Sequence, residues 1–203
     1  MSKVQDIGSI APMAEQPAQK KPEKPLDPVQ VEYEEGKRFL ENGNISQAAI
    51  AFHNVLVAHE EKNDEKGIAN ACNQLGNVCM ARGEYAQARK HYQRAWEICD
   101  KLFDEMSLMA LRRQFLLIHR GLEEWDEAIE LCLDLLEIYR SNRDPAGSVS
   151  VLEEMASIYM DAGKKDKAAD AYRTIASIHN NYNHKNIAAK FIKKAEALEH
   201  KAA

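Results

Sequence analysis

Asn70, Asn73 and Asn77 stand at i, i+3 and i+7, the spacing that places side chains on one face of an α-helix. Each carboxamide offers two donors and an acceptor, a set that matches the backbone of an extended peptide. The chemistry this spacing offers is recognition rather than bond breaking. The plainer alternative is a solvated helix face on which asparagine, with its modest helix propensity, is merely tolerated.

The residue types that usually carry catalysis lack the spacing for it. There are seven histidines but no HExxH, and His53, His59, His91 and His119 fall at scattered helical phases, which suits neither a metal nor an acid–base site. Cys72 and Cys79 share a face, yet all four cysteines lack a CxxC partner and read as reduced thiols serving as small apolar residues. Glu123 with Glu124 and Glu153 with Glu154 are sequence neighbours, so on a helix they point apart. No GxxxxGK[ST], no GxGxxG and no GxSxG occurs, which leaves phosphate binding and acyl transfer without support. The expectation is a chain with no catalytic site, no metal and no cofactor.

Composition divides the chain in two. With 45% hydrophobic residues in 203 a buried core is expected, but five of the six prolines precede residue 29 and only Pro145 follows. Residues 1–28 are expected to be a disordered tail, with a short linear interaction motif as its functional alternative. In that tail Lys3, Lys20, Lys21 and Lys24 balance Asp6, Glu15, Glu23 and Asp27, so the formal charge of -5 belongs to the body. A mildly acidic body argues against nucleic acid, which demands clustered cations. The sequence holds neither an apolar run of the roughly 20 residues that cross a bilayer nor the apolar stretch of a signal peptide, and the cytoplasm is the expected location.

What positions the asparagines is a repeat. Ala48, Ala88, Ala128 and Ala168 are spaced by 40 residues, and other columns follow in that register: Gly43, Gly83, Glu123 and Gly163; Gly36, Gly76, Leu116 and Ala156; Phe52, Tyr92, Cys132 and Tyr172. Each period reads as two amphipathic helices about a turn, the first striped by Cys72, Leu75, Gly76 and Cys79 and the second by Tyr85, Ala88, Tyr92 and Ala95. Small residues let the helices approach, and aromatic ones fill the space beside them; Trp125, in the column of Tyr85, is expected in the core. Asp64, Asp104 and Asp144 recur at the same interval and predict the starts of first helices, because Asp accepts the free N–H groups of a first turn. The predicted fold is all-α, a right-handed α-solenoid of helical hairpins. Four units occupy about 29–62, 64–102, 104–142 and 144–181, with a capping helix at about 185–199 whose alternative is a membrane-surface helix.

In the stretch NQLGNVCMARGEYAQARKHYQRAW, Leu75, Gly76, Gly83, Tyr85, Ala88, Tyr92 and Ala95 resemble the tetratricopeptide repeat family. The usual period of that family is 34 residues; a period of 40 is similar to its long-repeat branch, which includes kinesin light chains, the LGN and Pins polarity adaptors and bacterial regulators. Repeat three departs from the pattern at Leu116, His119 and Glu123 and is expected to pack less regularly. The resemblance implies a concave groove, lined by first helices, that holds a peptide or helix of a protein partner. By register the groove face comprises Tyr33, Lys37 and Leu40; Asn70, Asn73, Asn77 and Met80; Arg113, Leu117 and Arg120; and Glu153, Ser157 and Met160.

The candidate binding residues among these are Tyr33, Lys37, Asn70, Asn73, Asn77, Arg113, Leu117 and Arg120. Arg113 and Arg120 favour a ligand with an acidic segment near repeats two and three, with plain surface charge as the alternative. The carboxylate clamp with which one branch of the family holds chaperone tails is not matched, since its columns hold Tyr33, Lys37, Gln74, Ala110 and Gln114. An adaptor is the leading expectation. A secretion or assembly chaperone holding a client and a peptide-sensing regulator are the alternatives.

Overall fold

The computed structural model describes residues 27–199, which form nine helices and no strand. In chain order these are α1 (Pro28–Glu41), α2 (Ile45–Glu61), α3 (Glu65–Ala81), α4 (Tyr85–Lys101), α5 (Glu105–Gly121), α6 (Trp125–Ser141), α7 (Pro145–Asp161), α8 (Lys165–Asn181) and α9 (Lys185–Glu199). The tail predicted for residues 1–28 lies outside the described residues up to position 26. Asp27 already caps α1, so that helix begins at Pro28.

From α2 to α8 every helix has 17 residues and every connection is a three-residue turn. The 40-residue period is therefore two equal helix-plus-turn steps. The central turn residue is always left-handed: Gly43, Gly83 and Gly163 in the turns within hairpins, and Asn63, Phe103, Arg143 and Asn183 in the turns between them. The remaining hairpin turn has Glu123 at φ 60°. That geometry closes a helix with a bond such as Glu84 N–H to Cys79 O at 2.9 Å, satisfying a carbonyl that the helix leaves unpaired.

First helices begin where the aspartates predict. Asp64, Asp104 and Asp144 accept the backbone N–H of Gly67, Ser107 and Gly147 at 3.2, 3.1 and 2.9 Å. Asn44, Glu84, Glu124 and Lys164, which precede the second helices, make no such side-chain bond. The second helices are held by packing instead.

The alanine column is wholly buried, and the columns beside it complement one another in size. A Cβ on Gly76 would lie 2.4 Å from the Tyr92 ring, and one on Gly36 would lie 2.8 Å from that of Phe52. Repeat three reverses the sizes: the same two columns hold Leu116 and Cys132, both buried in one cluster. Less regular packing was expected of this hairpin, and α5 and α6 do meet over a smaller surface than the helices of the other hairpins, although the exchange roughly conserves volume. A second pair of columns repeats the device. The His59 ring packs on Gly67 and the Tyr139 ring on Gly147, whereas repeat three sets Cys99 opposite the larger Ser107.

The core changes hands at α5. Leu108, Leu111 and Ile118 join a cluster that runs back to α2, and Leu116 joins one that runs on to α9. Cys72, Cys79, Cys99 and Cys132 are all buried, while Trp125 is only half-buried against the second cluster. Helix α9 covers the last hairpin with Ala188, Phe191 and Ala195. Among the described residues no helix is long and apolar enough to cross a membrane.

Candidate functional site

The first helices α1, α3, α5 and α7 lie side by side, and bonds between neighbours run at a sequence separation of 41. They line one face of the stack, and the register residues fall on it as three rows. Asn73 and Arg113 follow Tyr33, Asn77 and Leu117 follow Lys37, and Met80 and Arg120 follow Leu40. The outcome differs from column to column.

The asparagine triplet divides. Asn77 is occupied: the Tyr92 hydroxyl donates to its Oδ1 at 2.7 Å, and its own amide donates to Gln74 Oε1 at 3.0 Å. Gln74 donates in turn to the Tyr33 hydroxyl at 3.0 Å, and Gln114 Oε1 lies 3.3 Å from the Tyr92 hydroxyl. This chain links α1, α3, α4 and α5 in a largely apolar setting, where burial pushes the Tyr92 phenol well above its ordinary range. Such a network is costly to break, because each buried group left unpaired loses its water without replacement. Asn77 and Tyr33, both half-buried, are thus tied into a chain of bonds that runs between helices of the stack.

Asn70 and Asn73 are placed differently. Asn70 is exposed and Asn73 half-buried, and both border a pocket of about 50 Å³ between α3 and α5, with Ser107, Ala110 and Leu111 on the far side. Both residues line this small gap between the first helices of repeats two and three. Leu117, 43% exposed, and Met160, 37% exposed, are apolar points on the same surface.

The arginines already have acidic partners. Arg113 donates to Glu154 at 3.0 Å and to the Tyr139 hydroxyl at 3.1 Å, with its guanidinium over the Tyr139 ring. Burial opposes its charge, yet the bonds to Tyr139 and Glu154 outweigh it and hold the guanidinium more firmly protonated. Arg120 donates to Asp161 and to Ser157, both at 2.8 Å. Lys37 bonds Glu34 at 3.0 Å, which raises its pKa. The positive charge expected to attract an acidic ligand is thus paired already, Arg113 and Arg120 with acids of α7 and Lys37 with Glu34 of its own helix.

Several residues that decide this arrangement were not singled out as groove residues from sequence: Gln74, Gln114, Glu154 and Asp161. For Gln74, Glu154 and Asp161 the signal is the 41-residue separation from their partners, one more than the repeat, which reflects the offset between adjacent first helices; Gln114 meets Tyr92 of the preceding second helix instead. No group of three or more potential metal ligands occurs among the described residues.

Comparison with known proteins agrees with the repeat. Family models described as tetratricopeptide repeat match residues 69–101 and 117–146. No curated protein matches by sequence. Among solved structures, BtubC (BKLC) from P. vanneervenii is 16% identical, with 86% of each chain covered and a TM-score of 0.58. Aspartyl phosphate phosphatase F from Bacillus subtilis is 13% identical with a TM-score of 0.53; the match covers 84% of this chain and 49% of that one. The MamA RS-1 ArsTM double mutant is 13% identical, covers 86% of this chain and 96% of its own, and has a TM-score of 0.51. Likeness at these identities is a likeness of fold.

Proposed function

From a chain of tetratricopeptide repeats, we propose a binding scaffold rather than an enzyme, one that holds a segment of a partner protein on the face lined by its first helices. The observation that supports this reading is the division of the asparagine triplet. Asn77 is consumed by the fold, whereas Asn70 and Asn73 flank a gap lined by Ser107 and small apolar side chains. Two carboxamides one helical turn apart pair with the N–H and C=O groups of a bound backbone without demanding a particular side chain. Leu117 and Met160 supply apolar contact further along the same face.

With Arg113 and Arg120 neutralised by Glu154 and Asp161, the segment is recognised by its backbone and apolar residues more than by acidity. The test separates binding from folding. Asn70→Ala with Asn73→Ala should lose at least roughly tenfold of the partner captured from native extract, with stability within about 0.5 kcal/mol of the parent, as is usual for surface changes. Capture equal to that of the parent chain would remove the groove assignment.

A further inference from the structure

The second helices form the opposite face, and three furrows run between them: α2 and α4 over α3, α4 and α6 over α5, and α6 and α8 over α7. The repeat allows a column-by-column comparison. In the first furrow, Arg94 of α4 crosses to Glu60 of α2 at 2.6 Å and lies against Cys72 on the floor, so the furrow is closed. In the second, the bridge columns hold Asp100 and Asp134, Arg112 takes the floor position of Cys72 and stacks 4.9 Å from the Trp96 ring centroid, and a more polar cavity of about 460 Å³ remains beside it.

In the third furrow the bridge is missing. The column of Arg94 holds Thr174, too short to cross, and that of Glu60 holds Arg140; the floor is Leu152. An open cavity of about 550 Å³ remains, lined by Leu136, Leu152 and Ile178. It continues past Thr174 into a further 300 Å³ or so beside Leu133 and Met155. Leu133 is 53% exposed and carries the apolar lining of the furrow out to the surface. Arg140 and Arg143 stand at the end where α6 turns into α7. Arg140 meets only Glu137 on its own helix, an exposed pair of the kind that contributes little, and Arg143 makes no ion pair among the described residues.

We propose that this furrow is the docking site of the chain's own N-terminal segment, Val4–Glu15. Val4, Ile7 and Ala11, with Ile10 beside them, recur at the spacing of one helical face, and Pro12 follows. Lys3 precedes the segment and Lys20, Lys21 and Lys24 follow it, but the charged residues within Val4–Glu15, Asp6 and Glu15, are both acidic, opposite in sign to Arg140 and Arg143, which outnumber the one acid of the cavity lining, Asp144. The tail joins α1 at Pro28, the N-terminal end of a first helix. The turn that carries Arg143 leads into the N-terminal end of α7, on the same edge of the stack.

The reach is sufficient. First helices are direct neighbours, so α7 stands three helix spacings of 8–10 Å from α1, roughly 30 Å, and the 12 or so residues between Glu15 and Pro28 extend to about 40 Å. The furrow from Leu133 to Arg143 is about 15 Å long, enough to take the apolar side chains of Val4–Ala11.

A nitroxide at Ile7→Cys tests the proposal in the full chain, because Cys72, Cys79, Cys99 and Cys132 are buried and leave that thiol as the reactive one. The amide NMR signals of Leu136, Leu152 and Ile178 should lose more than half of their intensity, while those of Leu56 and Cys72 keep theirs. A mixture of isotope-labelled parent chain with unlabelled nitroxide-bearing chain should show no loss. Thr174→Arg combined with Arg140→Glu transplants the bridge of the first furrow and should restore the signals, and so should Ile10→Ser, which leaves the folded body untouched. No loss at the furrow, loss in the mixed sample as well, which would indicate a second copy's tail, or loss that survives both variants would overturn the proposal.

Discussion

The hairpins α3–α4 and α5–α6 share a period, a turn geometry and an aspartate cap, yet they solve the same packing problem with opposite residues. Repeat two sets Gly76 beneath Tyr92, and repeat three sets Leu116 in the glycine column and Cys132 in the aromatic one. What the period conserves is the summed volume of a pair of columns, not the residue in either. The exchange has a second consequence. Tyr92 brings a hydroxyl that engages Asn77 and Gln114, whereas Cys132 brings only a buried S–H, a weak donor. Repeat two is therefore tied to its neighbours by polar bonds as well as packing, and at α5 the apolar core divides into two clusters.

The largest effect should come from forcing one solution onto the other. Gly76→Leu places side-chain carbon where even a Cβ would sit 2.4 Å from the Tyr92 ring, and overpacking of this kind costs about 3 kcal/mol or more. Gly76→Leu with Tyr92→Cys rebuilds the pairing of repeat three and should recover a large part of that loss in thermal denaturation. A double-mutant cycle measures the coupling. If the two substitutions simply add, the two columns do not exchange volume.

A smaller effect should follow from removing only the hydroxyl. Tyr92→Phe leaves the ring in place but strips Asn77 Oδ1 of its donor, at about 1–2 kcal/mol for a buried group left unpaired. Asn77→Ala should cost a similar amount, and Asn73→Ala almost nothing, when all three are compared by chemical denaturation. Equal costs for Asn73 and Asn77 would abolish the distinction between the structural carboxamide and the one proposed to meet a ligand.

These residues also mark how far the sequence could be read. The alanine column and the capping aspartates were legible because small size and a first-turn carboxylate each have one strong local use. The equality of the two half-periods was not, because the turns between hairpins place Asn63, Phe103, Arg143 and Asn183 in the left-handed region. Asparagine tolerates that region, but Phe and Arg give no sign of it. On the groove face, Asn70 and Asn73 stand where helical spacing puts them. The occupation of Asn77 stayed hidden because Tyr92 was read as packing alone. The neutralisation of Arg113 and Arg120 stayed hidden because their partners lie one residue off the repeat, at an offset that belongs to the superhelix and not to any single hairpin.

The finest comparison lies in the two caps. The Asp64 carboxyl is held below its ordinary range first by the Gly67 N–H, with His59 Nδ1 at 2.9 Å. The Asp104 carboxyl is held down first by the Ser107 hydroxyl, at 2.7 Å, and then by the Ser107 N–H. Because both pKa values are depressed on folding, the stability that each contributes is present above the unfolded value, near 4 for Asp, and is lost as the pH falls through the lower folded value. Ser107→Gly gives repeat three the cap residue of repeat two and removes the hydroxyl while keeping the N–H. The carboxyl titration of Asp104, followed by NMR, should then move its midpoint upward and that of Asp64 should stay where it was. The acid end of the melting profile should change only slightly, since both carboxyls are exposed. A fixed Asp104 midpoint would show that the backbone alone sets the cap, and that the two repeats begin in the same way despite the serine.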